Sequence, residues 1–255
     1  MLDLTYPPII LAAKTGFRLL GQRFDLTGTE HVPRKGGVLL AVNHVGYLDF
    51  IYGGLAANPS GRKVRFMAKR EIFQNAVGGP VMRSMHHIEV DRGEGLASFR
   101  TAVDYLKRGE AVGIFPEATI SRSFEIKDIK TGAVRIAAEA DVPLVPVILW
   151  GTQRIFTKDH DRDFSRGKTI AIRVGEPLRL SGADPVAETA ELRARMSTML
   201  EETIAAYPAA EQPPGSWWLP ARFGGSAPTP EEAARLDAEE QRRRAEARRA
   251  KAADS

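Results

Sequence analysis

Cysteine is absent from the 255-residue chain, which excludes disulfides, thiolate zinc sites, iron–sulfur clusters and cysteine nucleophiles together. Any activation of a nucleophile must use other groups. Also missing is an unbroken run of the roughly 18 apolar residues that a membrane-spanning helix needs. The chain is therefore expected not to cross a bilayer. The N-terminus lacks the pattern of a secretory signal, because Asp3 precedes its apolar part and Lys14 and Arg18 interrupt it. The expected compartment is the cytoplasm or the cytoplasmic face of the membrane. No Gly-x-Ser-x-Gly elbow occurs, which argues against a serine hydrolase of the α/β class. Gly167-Lys168-Thr169 resembles the end of a phosphate-binding loop, but Arg162 stands where the first glycine is required. Gly93-Glu94-Gly95-Leu96-Ala97-Ser98 has serine in place of the third glycine of a dinucleotide fingerprint.

What is present is enough apolar content, 43%, for one substantial core. A net charge of +4 and a pI near 9.4 favour anionic partners. Residues 7–20 combine Ile9, Ile10, Leu11, Phe17, Leu19 and Leu20 with Lys14 and Arg18, a short basic amphipathic helix. It suits either packing on its own domain or lying among anionic lipids. Apolar runs at Val38–Val42, Val64–Ala68, His87–Val90, Ala111–Phe115, Leu144–Leu149 and Thr169–Val174 read as strands, with helical spacing at Leu96–Lys107, Ala133–Ala140 and Pro185 to about Tyr207. The expected fold is α/β, a mixed and mostly buried sheet flanked by helices, with an N-terminal amphipathic helix and a charged C-terminal tail. Composition divides the chain into a membrane-association segment (1–25), a catalytic domain (26–208) and a Pro/Gly-rich linker with a charged helical or disordered tail (209–255). Trp217 and Trp218 in the linker are expected to add an interfacial anchor.

Asn43, His44 and Asp49 lie where the strand Val38–Val42 ends. On one continuous helix, five positions would set His44 and Asp49 about 140° apart. They can meet only with His44 in the turn and Asp49 in the first helical turn. A carboxylate so placed fixes the imidazole tautomer and steadies the charge formed as the other nitrogen removes a proton. Such a pair is a general base without its own nucleophile, so a substrate hydroxyl is the natural candidate. Asp159, His160, Asp161 and Asp163 read as a solvated turn, and no metal is expected. His86 and His87 read as strand-edge residues. Arg62, Lys63, Arg65, Lys69 and Arg70 form the densest basic patch, suited to a solvated face, lipid phosphates or an anionic acyl carrier. Nucleic acid is not expected.

Ordered blocks follow the pair. Asn43-His44-Val45-Gly46-Tyr47-Leu48-Asp49, Lys69-Arg70-Glu71-Ile72-Phe73, His87-Ile88-Glu89-Val90-Asp91-Arg92, Phe115-Pro116-Glu117-Ala118-Thr119-Ile120-Ser121 and Val142-Pro143-Leu144-Val145-Pro146-Val147 appear in sequence. Together they resemble the glycerolipid acyltransferase family, the bacterial lysophosphatidate acyltransferases in particular, over roughly Gly36 to Pro177. The resemblance implies transfer of a fatty acyl group from acyl-CoA or acyl-carrier protein to a lysophosphatidate or glycerol phosphate hydroxyl at the membrane surface, with no cofactor beyond the donor. It implies His44 as base and Asp49 as its orienting partner. Asn43, Lys69, Arg70, Arg92, Glu117 and Thr119 are then expected to bind substrate, and Pro146 to border the acyl donor pocket. Ala118 and Ile120 stand where the family has glycine and arginine. Arg122 or Lys130 is expected to supply the missing phosphate contact. Two other readings use the same residues: a lipid esterase with water as acceptor, and a non-catalytic lipid-binding protein.

Overall fold

The computed structural model of the chain describes residues 5–91 and 95–253. In chain order its elements are α1 (Tyr6–Leu19), β1 (Arg23–Thr27), β2 (Val38–Val42), α2 (Asp49–Leu55), β3 (Val64–Lys69), α3 (Arg70–Phe73), α4 (Gly78–Ser84), β4 (Ile88–Val90), α5 (Gly95–Lys107), β5 (Ala111–Ile114), α6 (Gly132–Ala140), β6 (Leu144–Trp150), β7 (Thr169–Val174), α7 (Pro185–Ala206) and α8 (Pro230–Ala253). The strands form one seven-stranded sheet in the order β1-β7-β6-β2-β5-β3-β4. Every pairing is parallel except β6 with β7. The α/β expectation holds, and so do the positions of the six expected strands. β1 was not legible, because its burial does not alternate and it sits at the sheet edge. The short helices α3 and α4, of 4 and 7 residues, are not legible because they span too few turns to repeat an apolar spacing.

Burial on both faces explains the unbroken apolar strands. In β2, Leu39 and Ala41 face the cluster built with α5, α6 and α7, while Val38, Leu40 and Val42 face the one built with α1 and α2. β6 alternates in the same way, with Leu144, Ile148 and Trp150 on the first side and Val145, Val147 and Leu149 on the second. α7 begins where Asp184 caps it, accepting from the amides of Val186 and Ala187, ahead of a proline at the first helical position.

Two expectations change with the packing. Trp218 is buried among Trp150, Tyr207 and the Arg154 guanidinium, and Trp217 stacks on His160. Neither ring stands free as a membrane anchor, because each is taken into the protein's own packing. The basic patch is likewise broken up. Arg62 donates to the carbonyls of Pro33, Gly36 and Gly109, and Arg65 is buried and donates to that of Met85.

β2, β5 and β6 run parallel, with Ala41 level with Ile114 and Val42 with Val147. Their C-terminal ends therefore open on the same edge of the sheet, the place where α/β proteins assemble sites. Beneath that edge the Phe66 ring lies over Gly113, where an added Cβ would stand 2.5, 2.6 and 2.9 Å from three ring atoms. Phe66 is fully buried and cannot swing away. Gly113→Ala is expected to cost about 1–3 kcal/mol through overpacking. Urea unfolding should show a lower midpoint at unchanged slope.

Candidate active site

The loop leaving β2 is held at each residue. Asn43 pairs with Leu149 of β6 through both side-chain atoms, its Nδ2 donating at 3.1 Å and its Oδ1 accepting at 2.7 Å. This extends the β2–β6 ladder by one side chain. The His44 amide donates to Glu117 Oε1 at 2.8 Å, its carbonyl accepts from Ser121 N–H at 2.8 Å, and the Val45 carbonyl accepts from Thr157 Oγ1 at 2.6 Å. α2 then starts at Asp49, so the turn-plus-first-turn arrangement is realised.

Asp49 is fully buried. Its Oδ2 accepts from Val45 N–H and Gly46 N–H, each at 2.7 Å, and lies 3.0 Å from His44 Nδ1, while its Oδ1 accepts from Thr152 Oγ1 at 2.7 Å. With a carboxylate against Nδ1, that nitrogen carries the proton and Nε2 keeps the lone pair. The His44 side chain is 20% exposed and stacks on Phe115 with ring centroids 4.2 Å apart. Phe115 stacks in turn on Phe66 at 5.5 Å. No described residue bonds Nε2. The nearby hydroxyls are spent elsewhere, Ser121 Oγ on the Glu125 carbonyl and Thr152 Oγ1 on Asp49. Among the described residues, no side-chain hydroxyl is bonded to the imidazole.

Glu117 arrives from the end of β5. Its second oxygen accepts from Lys127 N–H at 3.0 Å, so the carboxyl staples the His44 loop to the loop that follows β5. Burial pushes it up to about 7, against the lowering effect of the Lys127 and His44 amides. Ala118, at φ +60°, occupies a left-handed conformation that a glycine would adopt freely. Ile120 is buried.

Residues 23–150 match the acyltransferase family model. The 1-acyl-sn-glycerol-3-phosphate acyltransferase of Bacillus subtilis is 34% identical over 67% of this chain and 77% of its own length. The enzyme of the same name from Borreliella burgdorferi is 27% identical over 74% of this chain and 76% of its own. This chain belongs to the acyltransferase family. Its fold matches the crystal structure of the 1-acyl-sn-glycerophosphate acyltransferase of Thermotoga maritima with a TM-score of 0.66 at 22% identity, over 79% of this chain and 80% of that one. The protein is accordingly an O-acyltransferase.

The acyltransferase brings some of the expected site residues together and disperses others. His44, Asp49 and Glu117 meet at the sheet edge. Asn43 is fully buried and committed to Leu149, so it positions the loop. Pro146 is buried inside β6, level with Ala41. Its ring packs so close to Gly175 that an added Cβ there would stand 2.8 Å away. Arg70, the first residue of α3 after β3, pairs with Asp91 and Glu89. Lys69 ends the same strand, half-buried. Thr119 accepts from Lys127 Nζ at 2.7 Å, and Lys130 is exposed. Arg92 lies outside the described residues. Arg122 is only 7% exposed and donates to three carboxylates, those of Asp159, Asp237 and Glu240. Burial alone would lower its pKa, but bonds and charges from these partners raise it.

Sequence reasoning missed Thr152, Asp237 and Glu240. The first lies 103 residues from Asp49, and the other two 115 and 118 from Arg122, with no motif linking them.

Glu117 supplies two acceptors to two N–H groups, and glutamine would turn its NH₂ on one of them. Glu117→Gln is expected to cost roughly 1–3 kcal/mol through an unsatisfied buried donor and to reduce turnover by shifting His44. It also removes a titration. Folding raises this carboxyl from 4.5 to about 7, so the stability it lends is complete below pH 4.5 and is lost as pH climbs through 7. Melting curves should show a decline across that window in the wild type and a flatter profile in the variant. An equally steep decline in the variant would assign it to another group.

Proposed function

We propose that this acyltransferase moves a fatty acyl group from a thioester, acyl-CoA or acyl-carrier protein, to the free hydroxyl of 1-acyl-sn-glycerol 3-phosphate in phospholipid synthesis. The observation that carries the reading is His44, held through Nδ1 by a buried Asp49 with its Nε2 open and no protein hydroxyl aimed at it. In this scheme Nε2 takes the proton of the acceptor hydroxyl as its oxygen attacks the thioester carbonyl. The C–S bond then breaks, and the imidazolium returns the proton to the departing thiolate. Asp49 keeps Nδ1–H aligned and opposes the charge on the ring. The thioester is a co-substrate and the scheme uses no resident cofactor. The acceptor is the one named for the Bacillus and Borreliella relatives.

We also propose that the enzyme works at the membrane surface through α1. No helix among the described residues is long and apolar enough to cross a membrane. α1 packs inward through Tyr6 and Phe17 and outward presents Leu11 and Leu19, 63% and 68% exposed, beside Arg18. An apolar stripe with basic flanks suits an anionic interface.

His44→Ala is expected to lower acyl transfer by roughly a hundredfold or more without changing the circular dichroism spectrum. Asp49→Asn should also be severely impaired, because its NH₂ would face donors. The check is thiol release from acyl-CoA and acyl-carrier protein with 1-acyl-sn-glycerol 3-phosphate, the product identified by mass spectrometry. Near-native turnover in His44→Ala would remove the base assignment. Release that is equally fast without acceptor would mean that water takes the acyl group, the hydrolase reading.

Deleting α1 would strip Tyr6 and Phe17 from the core, so the interfacial role is better tested at the surface. Leu11→Glu with Leu19→Glu should weaken flotation with phosphatidylglycerol-containing liposomes while leaving the melting temperature unchanged. Undiminished flotation would rule out α1 as the anchor.

A further inference from the structure

Arg122, Lys127 and Lys158 form a cationic cluster beside the dyad loop, and the carboxylates that neutralise it come mostly from the far end of the chain. Asp237 pairs with all three cations. Glu240 pairs with Arg122 and Lys158, each at 3.0 Å. Asp159 is the third carboxylate, on Arg122 alone among these cations. Asp237 and Glu240 lie on α8, one turn apart on one face of the helix.

The rest of α8 does little to hold it down. Ala233 is its buried apolar side chain, Leu236 is half-buried, and all described positions from Gln241 onward are exposed. A helix docked by so little apolar area is held chiefly by its ion pairs with Arg122, Lys127 and Lys158. Without α8 the cluster would keep three cations and one carboxylate, an excess of two positive charges matched to a phosphate dianion. Arg122 would offer it a planar fork of donors and the lysines point charges.

The cluster also adjoins the chemistry. Ser121, next to Arg122, donates its amide to the His44 carbonyl, and Lys127 donates its amide to Glu117. Asp159 lines an open hollow of about 500 Å³ together with Tyr47, Phe156, Thr157, His160 and Asp161. Tyr47 belongs to the loop between His44 and Asp49. Burial and then the Glu240 carboxylate push its phenol up.

We propose that α8 is a removable clasp. Asp237 and Glu240 occupy the Arg122–Lys127–Lys158 cluster in place of a phosphate monoester, so that phosphate binding there and α8 docking exclude each other. The inference rests on the reading of the site as one that takes a phosphorylated acceptor. It adds a closed, self-occupied state of that site and the segment that closes it.

Hydrogen exchange on the full chain tests the clasp independently of turnover. At constant ionic strength set with sodium chloride, sn-glycerol 3-phosphate or phosphatidylcholine vesicles carrying phosphatidate should deprotect the α8 amides. Sodium chloride and pure phosphatidylcholine vesicles should not. Deprotection by the vesicles alone would mean that the ligand is a headgroup presented on a surface, and deprotection by both that the free ester suffices. Unchanged exchange in both arms overturns the proposal, whether or not the enzyme transfers acyl groups. Deprotection with no acyl transfer would leave the clasp standing and refute the acyl-transfer reading. As a second measurement, Asp237→Asn with Glu240→Gln should loosen α8 without ligand. It should also lower the KM for 1-acyl-sn-glycerol 3-phosphate on the order of tenfold at unchanged kcat, because the acceptor no longer competes with the helix. A folded double variant with unaltered or higher KM would mean that α8 is structural only.

Discussion

The carboxylate of Asp49 is buried completely and accepts from the imidazole of His44, two consecutive loop amides and the hydroxyl of Thr152. A carboxylate removed from water is tolerable only when donors replace the solvent, and each donor here comes from a segment the site needs in place. The loop after β2 is thereby curled around the head of α2. Thr152 ties it to the end of β6, and Glu117 ties the same loop to the end of β5. The imidazole is therefore oriented by the sheet itself, through three parallel strand ends that share one register.

Beneath the His44 imidazole lies an aromatic stack. His44 rests on Phe115, Phe115 on Phe66, and Phe66 fills the space left open by Gly113. Ring packing and the Asp49 bond constrain the imidazole from two directions, leaving Nε2 as its open edge. Another histidine, His87, shows the opposite treatment. Its Nδ1 accepts from the Phe66 amide, and burial first, then the Arg65 and His86 charges, lower its pKa to about 4. One imidazole has an open edge at the end of the sheet, and the other is enclosed in the packing.

Several cations are committed within the fold. Arg62 and Arg65 secure loop carbonyls, Arg154 bridges Glu211 and Tyr207, and the Arg122 cluster binds the acidic half of α8. The positive charge that composition alone assigns to anionic partners is thus partly consumed inside the fold.

The sequence by itself determined six of the seven strands, the helices α1, α5, α6 and α7, and the meeting of His44 with Asp49. These depend on local pattern: unbroken apolar runs, helical spacing, and a histidine and aspartate that can meet only across a turn. Its ordered blocks also carried the family. What it could not determine was the fate of side chains whose partners lie far along the chain. Asn43 and Pro146 read as substrate contacts, yet the β2–β6 pairing and the approach of Gly175 place both inside the sheet. Trp218 read as a surface anchor, yet it fills the space beside Trp150 and Tyr207. Arg122 read as a free phosphate ligand, yet a helix beginning at Pro230 reaches it with two carboxylates. Period and spacing extend over a few residues, whereas burial and ion pairing depend on which distant segments share the same volume. Only the tertiary structure decides that.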